Sequence, residues 1–322
     1  HVWRERGQPG KQKILGRERS YHGMTMGALS MSGHDLRRKD YGSLLHAFPA
    51  VPPSYCYRCP WGKRPESCGM DCAEAWHEAI QSAGPENVAA IIVEPIVGAA
   101  GGVIMPTTGY LCRLREICDE NNVLMILDEV ITGMGRTGSW FAADWAEVVP
   151  DVLTFGKGLS AGYSPMAESM RQNSGSAPFG HTFSNNPLSA AACLAVQDYM
   201  IQNNVLDNVQ ARGKELEDGL RALARKYSFM ADVRGRGLLW GFEFVSDPAT
   251  REPPVAAKAV AARFGELCFD KGLIVYPSGV PPLNNAILLS PPLTITADET
   301  ATLLEILGSA LDDFDAAGAL AI

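Results

Sequence analysis

A lysine and an aspartate stand where an α/β sheet would present them to a ligand. Lys157 lies between two glycines after the predicted buried strand 151–155, and Asp128 follows the apolar run 123–127. Burial readily lowers the pKa of a lysine amine, which can then act as a nucleophile toward carbonyl compounds. A carboxylate that ends an apolar strand is costly unless a cation meets it. The pattern therefore predicts a cationic partner beside Asp128 and a reactive amine at Lys157.

Each residue also has an ordinary structural interpretation. Lys157 could be a surface lysine at a helix start, since unpaired lysines mostly lie outside. Asp128 could form a structural ion pair with Arg136 or cap a helix N-terminus. A pyridinium nitrogen is another partner for Asp128, and an aspartate beside that nitrogen is usual in pyridoxal-phosphate sites. The local sequence leaves these alternatives open.

The segment 72–157 alternates helical and strand patterns. We predict helices over 73–82 and 110–121 and strands over 88–93, 123–127 and 151–155. Short apolar runs between helices are typical of parallel strands that are covered on both faces. Ligands of such sheets lie at the carboxyl ends of the strands, so Glu94, Asp128 and Lys157 are expected to converge on one crevice.

The rest of the chain predicts a smaller second domain. Its pattern gives helices over 188–201 and 206–227, strands over 231–234 and 237–245, a helix over 255–271, strands near 273 and 286, and a last helix over 296–314. The predicted fold class is α/β. A mostly parallel sheet occupies a large domain, 1–203, and a small α+β domain occupies 204–322.

Composition excludes several function classes. The net charge of -8 and the lack of a basic cluster argue against a nucleic-acid partner. No uninterrupted apolar stretch is long enough to span a membrane. Eight cysteines in 322 residues do not make a disulfide scaffold, which favours a reducing, cytoplasmic location.

Six motifs occur in a fixed order along the chain. They are Tyr21-His-Gly-Met-Thr25, Val93-Glu-Pro95, Asp128-Glu-Val130 with Gly133-Met-Gly-Arg-Thr-Gly138, Gly156-Lys-Gly-Leu-Ser-Ala-Gly162, His181-Thr-Phe-Ser-Asn-Asn-Pro187 and Arg234-Gly-Arg-Gly-Leu238. Together they resemble the class III aminotransferases, the group with 4-aminobutyrate, ornithine and ω-amino acid:pyruvate transaminases. The resemblance covers essentially the whole chain.

The resemblance implies fold type I of the pyridoxal-phosphate enzymes. It also implies a homodimer with a shared active site, with a tetramer as a further option. Lys157 would hold the cofactor as a Schiff base and later move the proton, and Asp128 would bond the pyridine nitrogen. The other implied contacts are Tyr21 stacked on the ring with His22 beside it, Val130 on the opposite ring face, Glu94 near the phenolic oxygen and the substrate entrance, and Thr182 at the phosphate of the neighbouring subunit's cofactor.

The sequence departs from the family pattern in two places. The family has about a hundred further residues before Tyr21, the size of a small domain, and they include a glycine-serine phosphate loop. The stretch between Tyr163 and His181 is also short. We therefore expect an intact polypeptide heavier than the 34.7 kDa of this sequence.

Two positions bear on the substrate. Leu288 and Tyr276 stand where relatives carry arginines for substrate carboxylates. Because both arginines are absent, a substrate with two carboxylates, such as 2-oxoglutarate, would lack cationic partners for them. We therefore predict an amine or ω-amino acid donor with pyruvate as the oxo acid acceptor. A racemase or aminomutase would use the same lysine and aspartate, and a non-catalytic relative would keep only the dimer fold.

Four cysteines cluster in one loop, with the spacing Cys56-x2-Cys59-x8-Cys68-x3-Cys72. This spacing is close to that of zinc sites. Loop packing and a disulfide are the alternatives. No metal is expected in the active site itself.

Overall fold

The computed structural model describes residues 1–163, 186–255 and 259–318. Its first sheet has six parallel strands, with the order β2-β1-β4-β5-β6 and β3 paired with β1. The strands are β1 (Lys13–Glu18), β2 (Ser32–Gly33), β3 (Ala50–Val51), β4 (Val88–Val93), β5 (Leu124–Asp128) and β6 (Val152–Thr154). The three strands predicted in this half are β4, β5 and β6, which lie side by side as expected.

Helices accompany this sheet. They are α1 (Val2–Glu5), α2 (Met26–Met31), α3 (Asp35–Arg38), α4 (Asp71–Ala83), α5 (Tyr110–Glu120) and α6 (Ala142–Ala146). Helix α5 buries Leu114, Ile117 and Cys118, which recur at helical spacing, against a core shared with Trp76 of α4 and Met125 of β5. The predicted helices 73–82 and 110–121 are thus α4 and α5.

A second sheet is antiparallel, with the order β7-β8-β10-β9. Its strands are β7 (Met230–Arg236), β8 (Leu239–Phe244), β9 (Tyr276–Val280) and β10 (Leu283–Leu289), and its helices are α7 (Pro187–Gln202), α8 (Val205–Lys226), α9 (Val260–Asp270) and α10 (Ala297–Ala316). Phe242, Phe244, Phe264 and Phe314 form the aromatic centre of the core beneath this sheet. The domain boundary near Asn203 falls between α7 and α8 and stays a prediction.

Three of the differences from the sequence patterns have a local physical cause. Strand β1 was missed because Lys13-Ile-Leu-Gly-Arg-Glu18 contains only two large apolar side chains. Helix α9 begins at Val260 rather than at 255, since Ala259 has left-handed backbone (φ 44°). The strand expected near 273 begins at Tyr276, because a turn with Gly272 (φ 87°) follows α9. Among the described residues, no helix is long and apolar enough to cross a membrane.

Candidate active site

The carboxyl ends of three adjacent strands carry the predicted polar residues. Val93 of β4 lies opposite Leu127 of β5, and Asp128 of β5 lies opposite Thr154 of β6. Glu94 therefore follows β4, Asp128 ends β5, and Lys157 comes three residues after β6. Because the three strands are adjacent and parallel, Glu94, Asp128 and Lys157 lie at the same edge of the sheet, as the sequence predicts.

Asp128 is buried and already has two donors. Its Oδ2 lies 2.7 Å from His22 Nδ1, and its Oδ1 accepts a hydrogen bond of 3.2 Å from the Val130 amide. Only 7% of Asp128 is exposed, and the His22 side chain is 1% exposed. Arg136 instead donates to the carbonyls of Leu238 and Pro291. An ion pair between Asp128 and Arg136 is therefore not formed.

Glu94 is held by backbone amides. Its carboxylate accepts hydrogen bonds from the Tyr21 amide (3.0 Å) and the Gly98 amide (3.1 Å). Burial raises the pKa of this carboxyl group. The Arg17 guanidinium, which is 1% exposed, donates to the Glu94 carbonyl at 3.0 Å. Arg17 was missed by the sequence analysis because it lies on β1.

Tyr21 lies beside this group and is half-buried. Its ring packs against a small apolar cluster with Tyr55 and Val97. The Arg37 guanidinium lies 4.4 Å from the centre of the ring, and the His34 ring meets it edge-on at 6.1 Å. Tyr21, His22, Glu94, Asp128 and Val130 thus form one connected group through the contacts above.

Lys157 opens a 3₁₀ turn, Lys157–Ser160, with a φ of 34°. A positive φ is costly for a residue with a Cβ, and such strain is concentrated at functional sites. Lys157 lines a cavity of about 280 Å³. The cavity lies between the first sheet and the second, since Ile131 and Met134 line it from one side and Leu239 from the other.

Tyr276 and Leu288 line the same cavity, directly opposite each other on β9 and β10. The sequence analysis placed both at substrate-binding positions of relatives. Arg136 also lines this cavity and was not expected there. Burial lowers the pKa of Arg136 to about 10. Within the described part of the chain, no carboxylate pairs with it.

The family assignment rests on a comparison along nearly the whole chain. Residues 1–311 match the family model of the class III aminotransferases. The chain belongs to the class III aminotransferases. Their members are transferases that depend on pyridoxal phosphate, and this confirms the family, the enzyme class and the cofactor that the sequence predicts.

Curated relatives are about one-third identical to the chain. The uncharacterized aminotransferase YodT of Bacillus subtilis is 37% identical over 94% of this chain and 71% of its own length. The adenosylmethionine-8-amino-7-oxononanoate aminotransferase of Geobacter sulfurreducens is 35% identical, with 94% and 68% covered. The hypotaurine/taurine–pyruvate aminotransferase of Paracoccus denitrificans is 36% identical, also with 94% and 68% covered. The relatives thus differ in their substrates.

A solved structure shares the fold. The transaminase from the marine bacterium Virgibacillus has a TM-score of 0.87 and 31% identity, and the match covers 97% of this chain and 70% of that one. This similarity, with the parallel and antiparallel sheets described above, confirms fold type I.

The described residues fit pyridoxal phosphate. A buried carboxylate, Asp128, can meet a protonated ring nitrogen, and Lys157, whose amine can react with a carbonyl group, lines a cavity. Pyridoxal phosphate, when bound, supplies an electron sink for charge on the substrate carbon. Thr182, His181 and the rest of the segment 164–185 lie outside the described residues.

Proposed function

We propose that the chain transfers an amino group from an amine or ω-amino acid to pyruvate in a ping-pong reaction. The cavity beside Lys157 carries this proposal. Tyr276 and Leu288 occupy the two positions where arginines would pair substrate carboxylates, and Arg136 is the guanidinium that lines the cavity within the described residues. One guanidinium suits a single carboxylate, as in pyruvate, whereas 2-oxoglutarate has two.

Lys157 and Asp128 have the central roles in this proposal. Lys157 Nζ would hold the cofactor and, once a substrate has displaced it, would both remove and return a proton within each half of the transfer. Asp128 keeps the proton on the ring nitrogen, because its buried carboxylate favours a cation beside it. His22 and the Val130 amide fix the orientation of that carboxylate through their contacts with its two oxygens.

The remaining predicted residues shape the ring site. We infer from the family pattern that Tyr21 and Val130 contact opposite ring faces; their amides contact Glu94 and Asp128, which keeps both residues at the site. Glu94 would face the substrate entrance, where its raised pKa favours the protonated carboxyl group. Thr182 would bind the phosphate of the neighbouring subunit's cofactor.

We also propose a cytoplasmic homodimer with a shared site. Large apolar side chains after His22 are exposed in the single chain, among them Met24 (45% exposed), Met26 (41%) and Leu44 (64%). A partner subunit would cover them. All eight cysteines are free thiols, which supports a reducing compartment. Sedimentation that gives a monomer at micromolar concentration would contradict the dimer.

The test is an absorbance spectrum of the purified holoenzyme before and after addition of β-alanine alone. We expect a visible band that disappears stoichiometrically with the donor and returns with pyruvate. Reduction by borohydride, followed by peptide mapping, should locate the cofactor on Lys157. Lys157→Arg is the matched control, because it keeps the charge but lacks a nucleophilic amine.

Each alternative gives a different result. A racemase or aminomutase keeps the visible band in the presence of donor, and a non-catalytic relative shows no band after cofactor is supplied. For the acceptor, we expect kcat/KM with pyruvate to exceed that with 2-oxoglutarate at least tenfold, a difference of about 1.4 kcal/mol in transition-state binding. The reverse order would contradict the choice of pyruvate.

A further inference from the structure

The four clustered cysteines do not form a metal centre in the described part of the chain. Cys56, Cys59, Cys68 and Cys72 line one small cavity of about 20 Å³. All four are free thiols, and no three potential ligands among the described residues are placed to hold a metal ion. Their spacing is close to that of zinc sites, but the side chains are not arranged as a coordination shell.

A larger groove adjoins the cavity beside Lys157. It has a volume of about 820 Å³, and Tyr276, Leu288 and Ser290 line both the groove and the cavity. The boundary between the two spaces therefore lies at the start of β9 and the end of β10, where Tyr276 and Leu288 are directly opposite each other. Tyr276 (46% exposed) and Ser290 are both exposed, so solvent links the two spaces around them. We call the larger space the β9–α10 groove.

One wall of the β9–α10 groove is a face of α10. Glu299, Thr302, Leu303 and Ile306 line it, and their spacing of three and four residues puts them on one side of the helix. At 1.5 Å per residue, these positions span about 10 Å of the helix. The segment before β9 adds a further wall, in which Ile274 is 81% exposed. The groove is thus long enough for a chain of several carbon atoms.

Aliphatic side chains dominate the lining of the groove, Leu273, Ile274, Ile295 and Ile306 among them. Within the described residues that line it, none is basic, and the one carboxylate belongs to Glu299. Hydrogen bonds from the Thr296 amide and hydroxyl lower the pKa of Glu299, so this side chain is charged at neutral pH. A ligand with a carboxylate in the groove would meet a like charge and no cation, whereas a hydrocarbon chain would bury apolar surface.

We propose that the β9–α10 groove binds the hydrocarbon tail of the amino donor, an inference that rests on the proposed function. The amino group of the donor reaches Lys157 in the cavity, and its unbranched tail extends past Tyr276 and Leu288 into the groove. The donor class is therefore a linear monoamine rather than an ω-amino acid, because the lining offers no cation to a terminal carboxylate. Each methylene group that enters the groove leaves water, which favours longer tails.

The experiment measures kcat/KM of the holoenzyme for propylamine, pentylamine and octylamine with saturating pyruvate. We expect kcat/KM to rise about two- to fourfold for each added methylene, the range that corresponds to partial and full burial of that group. For 8-aminooctanoate, which has the same chain length as octylamine but ends in a carboxylate, we expect a kcat/KM at least about tenfold below that of octylamine.

Two variants test the position of the tail. Ile274→Asp places a charge in the groove and should lower the ratio of kcat/KM for octylamine to that for propylamine at least about tenfold. Phe269→Asp is the matched control, because Phe269 is a 65% exposed residue of α9 that does not line the groove. It should keep the wild-type ratio. Both substitutions are at exposed positions, so neither removes a side chain from the core.

Three outcomes would overturn the groove as the tail site. They are a kcat/KM that does not rise with tail length, equal ratios in the two variants, or a preference for 8-aminooctanoate over octylamine. If propylamine is turned over and longer tails gain nothing, the groove fails while the aminotransferase proposal stands. If no donor is turned over, the aminotransferase proposal fails, and calorimetry then decides on the groove. Octylamine must bind more tightly than propylamine to the wild type, and Ile274→Asp must remove that difference.

Discussion

The Asp128 carboxylate shows how a buried charge is kept available for a ligand. His22 and the Val130 amide each contact one of its oxygens, and neither contact uses a full cationic side chain such as arginine. A carboxylate oxygen has lone pairs for more than one donor. Asp128 can therefore keep its present contacts and still accept from a ring nitrogen.

We predict that Asp128→Asn lowers kcat for transamination about a hundredfold or more, equal to at least about 2.7 kcal/mol. Asparagine has nearly the same shape, but it is neutral and does not hold a proton on the ring nitrogen. Steady-state kinetics and the half-reaction with β-alanine measure the effect. Glu78→Gln on α4 is an exposed control. A variant with wild-type kcat would rule out this role for Asp128.

Glu94 gives a prediction about pH. Burial raises its pKa in the folded state above the ordinary value of 4.5, so the native protein holds a proton that the unfolded chain has lost. Between those two pKa values the free energy of unfolding must fall as pH rises, by at most about 1.4 kcal/mol per pH unit. Glu94→Gln removes this contribution, although its amide also changes the contacts to Tyr21 and Gly98.

The slope with pH, rather than the absolute stability, is therefore the measurement. Urea unfolding from pH 5 to pH 8 should show a steeper fall for the wild type than for Glu94→Gln. Glu78→Gln should follow the wild type. Parallel curves for all three proteins would mean that Glu94 is ionised in the folded protein across this range.

Sequence patterns predicted the strand-end residues but not the arginines near them. Glu94, Asp128 and Lys157 each follow a segment with a strand pattern, so their positions could be inferred from local pattern alone. Arg17 and Arg136 instead depend on distant partners, namely the Glu94 carbonyl and the carbonyls of Leu238 and Pro291. No local pattern encodes those contacts, so Arg17 was missed and Arg136 was considered only as an ion-pair partner of Asp128.

At the scale of elements, Glu129 joins β5 to α6. Its carboxylate accepts hydrogen bonds from the Ala142 amide (2.6 Å), the Ala143 amide (2.8 Å) and the Thr132 hydroxyl (2.9 Å). These amides belong to the first turn of α6, where no intrahelical acceptor exists. The residue next to Asp128 thus fixes the loop that leads from the sheet to the cavity.

We predict that Glu129→Ala destabilises the protein by about 2–4 kcal/mol, because it leaves two buried amides and a hydroxyl without an acceptor. Glu129→Gln keeps one acceptor oxygen and should lose less. Urea unfolding measures both variants. Equal losses would show that packing volume, and not hydrogen bonding, explains the role of Glu129.

Predicted boundaries of helices and strands were most accurate where the local sequence pattern was strongest. Strand β4 was predicted over its observed range because six consecutive residues are apolar and β-branched or small. The start of α9 was predicted too early. The helical spacing of apolar residues continues before Val260, but the left-handed backbone of Ala259 is not helical. The sign of the φ angle at such a residue depends on tertiary packing, and a pattern of apolar residues does not predict it.

At the scale of the whole molecule, Arg234 connects the second sheet to the loop after β4. Its guanidinium donates to the carbonyls of Gly101 (2.9 Å), Gly102 (3.0 Å) and Val103 (3.0 Å). It also contacts Tyr55, Asp232 and Glu243, so its charge is paired although it is buried. The same loop provides Ala99 to the cavity beside Lys157. Arg234 thus determines how the second sheet closes over the site.

We predict that Arg234→Lys destabilises the protein by about 3–5 kcal/mol, since breaking a buried ion pair leaves charges uncompensated. Lysine has a single ammonium group and cannot reach three carbonyls and two carboxylates in the planar geometry of arginine. Because the cavity wall shifts with the loop, KM for both substrates should also rise. Urea unfolding and steady-state kinetics, recorded on the same preparations, measure the two effects.

Arg236→Lys is the matched control for this prediction. Arg236 belongs to the same Arg-Gly-Arg-Gly motif, but it is exposed and stacks on Trp145 with 4.9 Å between the guanidinium and the ring centre. An exposed contact of this kind contributes about 0.5–1 kcal/mol. Similar losses for both variants would mean that the motif acts through its turn geometry. A large loss for Arg234→Lys alone would mean that the buried guanidinium holds the two sheets together at the active site.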